Sequence, residues 1–207
     1  MSYYRPVESV EVNQVTKKSQ FIGNLFRADS TAQAQQFVQQ IKARHSSANH
    51  SCHCFIAGLP EQFSMWGYSD DGEPKGTAGS PMFQVLKHSG LGNTCVVVTR
   101  YFGGVKLGTG GIARAYSSTV TLAINSCITK EVHLTKNYSL SAPFKFTGDV
   151  EHAIKTCAGV YVTQRQWREN GLLLTVCIDD VAFSHFISSL SAYWHVLSIT
   201  EVTTQPS

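Results

Sequence analysis

The segment Thr94-Cys95-Val96-Val97-Val98-Thr99-Arg100-Tyr101 is rich in β-branched side chains and runs straight into a glycine-rich tract and an apolar helical stripe. A continuous run of this kind reads as a buried strand, because the alternation of a half-exposed strand disappears when both faces of the pleat are covered. The tract Phe102-Gly103-Gly104-Val105-Lys106-Leu107-Gly108-Thr109-Gly110-Gly111 follows, and behind it Ile112, Tyr116, Val120, Ala123 and Cys127 recur at helical spacing. The chain must therefore fold as strand, glycine loop and helix at this point. Glycines let backbone approach a ligand closely, and the first amides of the following helix point outward with partial positive charge.

Charge sharpens this reading. From Pro74 to Lys130 there is no Asp or Glu, whereas Lys75, Lys87, Arg100, Lys106, Arg114 and Lys130 are basic. Residues 1–132 carry twelve bases against eight acids, and residues 133–207 carry five against six, so the net charge of +3 belongs to the first half. The expected partner is a phosphate or a phosphodiester backbone. The expected contacts are Lys75, Thr77, Arg100, Gly103, Gly104, Lys106, Gly108, Thr109, Gly110, Gly111 and Arg114. Arg114 is expected in the first helical turn, where a cation opposes the macrodipole unless an anion lies between, and Arg100 is expected to bracket the same concavity.

Known phosphate loops fit poorly. A P-loop needs lysine directly after its last glycine, but Gly103 to Gly108 is followed by Thr109. Gly108-Thr109-Gly110-Gly111-Ile112-Ala113 matches a loose dinucleotide fingerprint with Glu131 downstream, yet the Gly103-Gly104 turn intervenes between strand and fingerprint. The acidic turn Ser69-Asp70-Asp71-Gly72-Glu73-Pro74 is turn chemistry first; alternatively Asp70, Asp71 and Glu73 hold Mg²⁺. His45, His50, Cys52, His53 and Cys54 lack zinc spacing, since Cys52 and Cys54 fall on one face of a strand and His53 on the other. No third residue orients a Cys/His nucleophile there. The six cysteines read as free thiols in apolar segments.

The remaining elements give an α/β (α+β) chain. Strands are expected over Val7–Val12 and Gln20–Phe26, with a polar turn between them at Asn13–Ser19. Ser30 and Gln33 form a capping-box pattern ahead of a helix carrying Ala34, Phe37, Val38 and Ile41. Cys52–Ala57 reads as a strand, and Ser80-Pro81 as the N-cap and first residue of a helix ending near Ser89-Gly90. The order of elements restarts near Thr129–His133, which divides the chain into domains 1–132 and 133–207. In the second, strands at Leu134–Ala142, Val160–Trp167, Leu172–Ile178 and Trp194–Thr200 alternate with helices at Gly148–Cys157 and Val181–Leu190. This is the β-α-β-β-α-β, ferredoxin-like order. The second domain lacks the basic-Gly-aromatic signature of an RNA-recognition motif, and the polar tail after Val202 reads as disordered.

Two segments carry a family resemblance. Asp70, Asp71, Gly72, Glu73, Pro74, Gly76, Thr77, Ala78 and Gly79, together with Gly103, Gly104, Gly108, Gly110, Gly111, Ala115 and Tyr116, resemble the signature of the IMPACT family, and the whole length resembles its bacterial YigZ-like members. A base is common in the family where this chain has Ser80. The resemblance implies a first domain like the second domain of a small-subunit ribosomal protein and domain IV of elongation factor G. It implies a ferredoxin-like second domain akin to domain V of that factor. Eukaryotic members act in translational control through a further N-terminal domain, a mechanism the resemblance does not carry over. Bacterial members resemble proteins that bind nucleic acid or the ribosome.

The expected function is a non-enzymatic, translation-associated regulator that binds RNA or the ribosome, with other translation proteins as further partners and no cofactor. The alternative is an enzyme acting on a small phosphorylated substrate or nucleotide with Mg²⁺ at the acidic turn. No apolar stretch reaches membrane-span length and the N-terminus lacks an apolar signal core, so a cytoplasmic location is expected and no membrane partner.

Overall fold

The computed structural model describes residues 2–202, so the tail after Val202 lies outside the described residues. It is a mixed α+β chain of two compact units, one spanning Tyr3–Val132 and the other the chain from His133 together with Ser2.

The first unit is built on a five-stranded sheet of β2 (Val10–Thr16), β3 (Ser19–Arg27), β4 (His50–Ile56), β5 (Trp66–Ser69) and β6 (Thr94–Tyr101). Its order is β2-β3-β6-β4-β5 and every neighbouring pair is antiparallel. The run Thr94–Tyr101 forms the central strand, and Cys95, Val96, Val97 and Val98 are fully buried. Val96 and Val98 face α2 (Gly79–His88) and α3 (Thr109–Asn125), packing with Met82, Leu86, Tyr116 and Val120. Cys95 and Val97 face α1 (Thr31–Arg44) through Ala34, Val38 and Ile41. Burial from both sides explains why the strand shows no alternation. A separate two-stranded ribbon pairs β1 (Ser2–Pro6) with β7 (Thr129–His133).

The capping pattern at α1 is realised in its Ser30 half, while Gln33 reaches back to the residue before the cap. Ser30 Oγ accepts from Gln33 N at 3.2 Å, and Gln33 Oε1 accepts from Asp29 N at 2.8 Å. Two expectations are corrected. Strand β2 continues to Thr16, and the turn is only Lys17-Lys18, with Thr16 opposite Ser19. Helix α2 starts at Gly79, so Ser80 is not its cap; the acceptor comes from Asp70, as described below. The short strand β5 has no counterpart among the expected elements.

In the second unit the order is β8 (Thr135–Pro143), α4 (Thr147–Thr156), β9 (Val160–Arg168), β10 (Gly171–Asp179), α5 (Asp180–Ser189) and β11 (Ser198–Val202). The antiparallel sheet runs β11-β8-β10-β9. Leu140, Leu172, Leu174, Val176, Val150 and Phe186 fill its core. The last strand starts at Ser198, not Trp194, because a 3-10 turn at Ser191–Tyr193 and the bonds from Val196 N and Leu197 N to Tyr193 O keep the chain turning.

Leu86 is fully buried and anchors α2 against the sheet. Leu86→Ala is expected to cost about 2–5 kcal/mol in urea denaturation; a loss below about 1 kcal/mol would show that this helix does not hold its place through that side chain.

Candidate functional site

The acidic turn between β5 and α2 is held by its own carboxylates. Asp70 accepts from Gly76 N at 2.8 Å, Ala78 N at 2.9 Å and Gly79 N at 2.8 Å. It thereby caps α2 from eight and nine residues upstream, satisfying amides that have no partner within the helix. Asp71, at φ +43°, pairs with Lys42 Nζ at 2.5 Å and accepts from Ser51 N at 2.6 Å. Glu73 is buried, pairs with Arg100 Nη1 at 2.6 Å and accepts from the Tyr116 hydroxyl at 3.0 Å. The three carboxylates thus face three different sets of partners. The alternative Mg²⁺ site built jointly from Asp70, Asp71 and Glu73 is corrected accordingly, and among the described residues no group of three His, Cys, Asp or Glu is placed to hold a metal.

Arg100 is buried rather than on the surface. It lies on the central strand with only 6 % of its surface exposed, between the rings of Phe21 and Phe102, each centred 5.6 Å from the guanidinium carbon. Among the described residues its side chain makes one hydrogen bond, to Glu73, and its Nε is buried without a partner. Burial pushes the Tyr116 phenol strongly up and the neighbouring Cys52 thiol to about 12, so both stay neutral beside the ion pair.

Above Arg100 a cavity of about 380 Å³ opens between the acidic turn and the glycine loop. Its walls include His50, Glu73, Pro74, Phe102, Lys106, Leu107, Gly108 and Thr109. His50 Nδ1 lies 2.9 Å from the Asp71 carbonyl, which only accepts, so this nitrogen carries the proton. Helix α3 starts at the cavity wall. Gly108, its N-cap residue at φ +73°, offers no side-chain acceptor, and the first turn holds no acid.

Arg114 lies elsewhere. It falls in the second turn of α3, with its guanidinium folded back to within 3.4 Å of where a Cβ on Gly110 would stand. It lines a separate depression with Thr16, Lys17, Leu107, Gly111 and Ser118. Arg100 and Arg114 therefore do not bracket one concavity; Leu107 lines both hollows.

The residues missed from the sequence are Lys17 and Lys18. Both have positive φ, +45° and +66°, and form a two-residue hairpin turn where Asn-Gly is favoured. The turn abuts the glycine loop because a Cβ on Gly103 would stand 2.0 Å from the Lys18 carbonyl, and Gly103 N donates to Ser19 Oγ at 3.1 Å. Lys17, Lys18, Lys106 and Arg114 are all exposed, and form no ion pair among the described residues. Lys75 is exposed, and the Thr77 hydroxyl donates to the Pro74 carbonyl at 2.6 Å. Gly104 and Gly110 are exposed on the loop and the first helical turn. Cys52 and Cys54 are buried on the α2–α3 side, while His53 stacks with Phe55.

The acidic turn and the glycine loop both lie within a stretch that matches a known protein family. Residues 17–124 match the Impact N-terminal domain, and the chain belongs to the IMPACT family. It is 34% identical to the IMPACT family member YigZ of Escherichia coli (strain K12) over 93% of each chain. It is 42% identical to the family member YvyE of Bacillus subtilis (strain 168), covering 74% of this chain and 70% of that one. A solved structure described as a hypothetical protein superposes with a TM-score of 0.68 at 31% identity, covering 99% of this chain and 98% of that one. Among the described residues no helix is long and apolar enough to cross a membrane.

Burial raises the Asp70 carboxyl, but the bonds from Gly76, Ala78 and Gly79 outweigh it and hold the group below its ordinary value of 3.8. The ionised form thus stabilises the fold above that value, and the contribution is lost as pH falls through the lower native value. Asp70→Asn is expected to cost about 1–3 kcal/mol at neutral pH. In denaturation curves the gap between wild type and variant should narrow as pH falls below 3.8 and through the lower native value; a gap independent of pH would show that the carboxylate's charge plays no part.

Proposed function

We propose that this protein is a cytoplasmic, translation-associated regulator that binds RNA or the ribosome through the basic edge of its first unit. The observation that carries the reading is the turn Lys17-Lys18. A left-handed backbone costs an ordinary L-residue roughly 1–2 kcal/mol, and such strain concentrates where side chains are held for a purpose. Here it holds two exposed lysines against the glycine loop that also carries Lys106, with Lys17 beside Arg114. Uncapped amides of α3 add partial positive charge on the same loop. An array of free cations around exposed backbone is suited to phosphate oxygens, which fix position without reading sequence. In this reading Arg100 supports the loop from below and is not itself a phosphodiester contact.

The family resemblance supports a translational setting, with a first unit akin to domain IV of elongation factor G and a ferredoxin-like second unit akin to domain V. The element order β-α-β-β-α-β of residues 135–202 is compatible with the latter.

Each phosphate contact on a single strand contributes a slope of about −0.7 in log K against log salt, so four cations give a slope near −3. The double variant Lys17→Asn with Lys18→Gly should flatten that slope by about 1.4 and raise stability by roughly 1 kcal/mol or more, because Asn-Gly relieves the turn. Fluorescence anisotropy on single-stranded RNA and urea denaturation read the two effects, and ribosome co-sedimentation tests the setting. Salt-independent RNA binding, or a double variant with unchanged slope, would overturn the proposal.

A further inference from the structure

The cavity above Arg100 is distinct in chemistry from the lysine edge. We infer that it binds a mononucleotide, that is, a phosphomonoester carrying an aromatic base, either free or as the 5′-phosphorylated end of an RNA strand. The strand-end form rests on the RNA reading above; the free form does not.

Four observations converge on this cavity. The guanidinium of Arg100 has five donors, is more than nine-tenths buried and makes a single hydrogen bond among the described residues. Its Nε has no partner, and buried donors are rarely left so without a function. The N-terminus of α3 opens on the same space with neither a capping side chain nor an acid in its first turn. Its amides therefore await an acceptor from outside the helix.

The remaining two concern charge and shape. Lys106 supplies a full positive charge at the wall, while Glu73 offsets that of Arg100. A phosphomonoester, with a charge of about −1.5 to −2 at neutral pH, gains more from this surplus than a singly charged diester. Asn49, His50 and Thr109 also line it, but much of the remaining wall is apolar, formed by Pro74, Leu107, Ile112 and the ring of Phe102, which is 46% exposed. A bare phosphate would leave that surface unused, whereas a base stacks on an exposed phenyl. The volume of about 380 Å³ lies within the usual range for small-molecule sites, about 300–1,000 Å³.

Calorimetry on the full chain with AMP, UMP, adenosine and inorganic phosphate tests the inference. Anisotropy with 5′-phosphorylated against 5′-hydroxyl RNA oligomers separates the two sources. Mononucleotide is expected to bind at least about tenfold tighter than nucleoside or phosphate alone, or the 5′-phosphorylated oligomer tighter than its hydroxyl form by a similar factor. Phe102→Ala, at a half-exposed site outside the apolar core clusters, removes the stacking face together with one ring that packs on Arg100, and should weaken mononucleotide about tenfold while changing phosphate binding by less than about threefold. Glu73→Gln removes the carboxylate competing for Arg100 and should tighten phosphomonoester binding about fivefold; a purely structural role for the pair predicts weakening instead. If Glu73→Gln does not fold, the Phe102→Ala comparison decides. No binding of any mononucleotide together with equal affinity for the two oligomers overturns the inference, as does inorganic phosphate binding as tightly as mononucleotide. Salt-dependent RNA binding that requires Lys17 and Lys18 would survive either result, so the two readings fail separately.

Discussion

The buried pair of Arg100 and Glu73 joins the three parts on which the site depends: the central strand, the acidic turn and, through the Tyr116 hydroxyl, helix α3. Such a pair adds little net stability, since desolvating both charges offsets their attraction, but removal of one partner leaves a charge stranded and costs about 3–5 kcal/mol. Its effect is to specify position. The tract from Pro74 to Lys130 contains no acid, so the counter-charge for Arg100 comes from the last acid before it. Asp70 makes that delivery reproducible. By bonding the amides of Gly76, Ala78 and Gly79 it folds the turn upon itself and fixes where Glu73 enters the core.

Much of this fold was legible from local pattern. The run Thr94–Tyr101 announces a doubly covered strand, Ser30 and Gln33 announce α1, and the stripe from Ile112 to Ala123 announces α3. Legibility failed where a distant partner overrides local preference. Lys17-Lys18 is poor turn chemistry by propensity and forms only because β2 and β3 are paired in register on either side. Helix α2 is capped by a residue on the far side of a loop, so Ser80-Pro81 was a plausible but wrong start. The burial of Arg100 is hidden because its sequence neighbours are glycines and cations, whereas its carboxylate partner in space lies 27 residues earlier.

The glycine loop consequently has two sides. Toward the hairpin, Gly103 admits the Lys18 backbone and gathers exposed cations. Toward the acidic turn, Gly108 and Thr109 overlook a largely apolar hollow with a charged floor. Leu107 lines the hollow on each side, so a single buried leucine separates the depression beside Arg114 from the cavity above Arg100. A count of basic residues alone does not distinguish the two hollows, because Arg114 lines one and Arg100 and Lys106 the other.

The strand order also bears on how the chain reaches this state. β3 and β4 are not neighbours; each pairs with β6, which occupies residues 94–101. During synthesis the hairpin β2–β3 and the hairpin β4–β5 emerge with the strand that joins them still to come. Neither inner edge is satisfied until the central strand slots between them, a long-range closure that slows folding and leaves two sticky edges waiting. The same strand carries Arg100, so the step that completes the sheet also brings the cation to Glu73. Assembly of the sheet and creation of the pocket floor are one event.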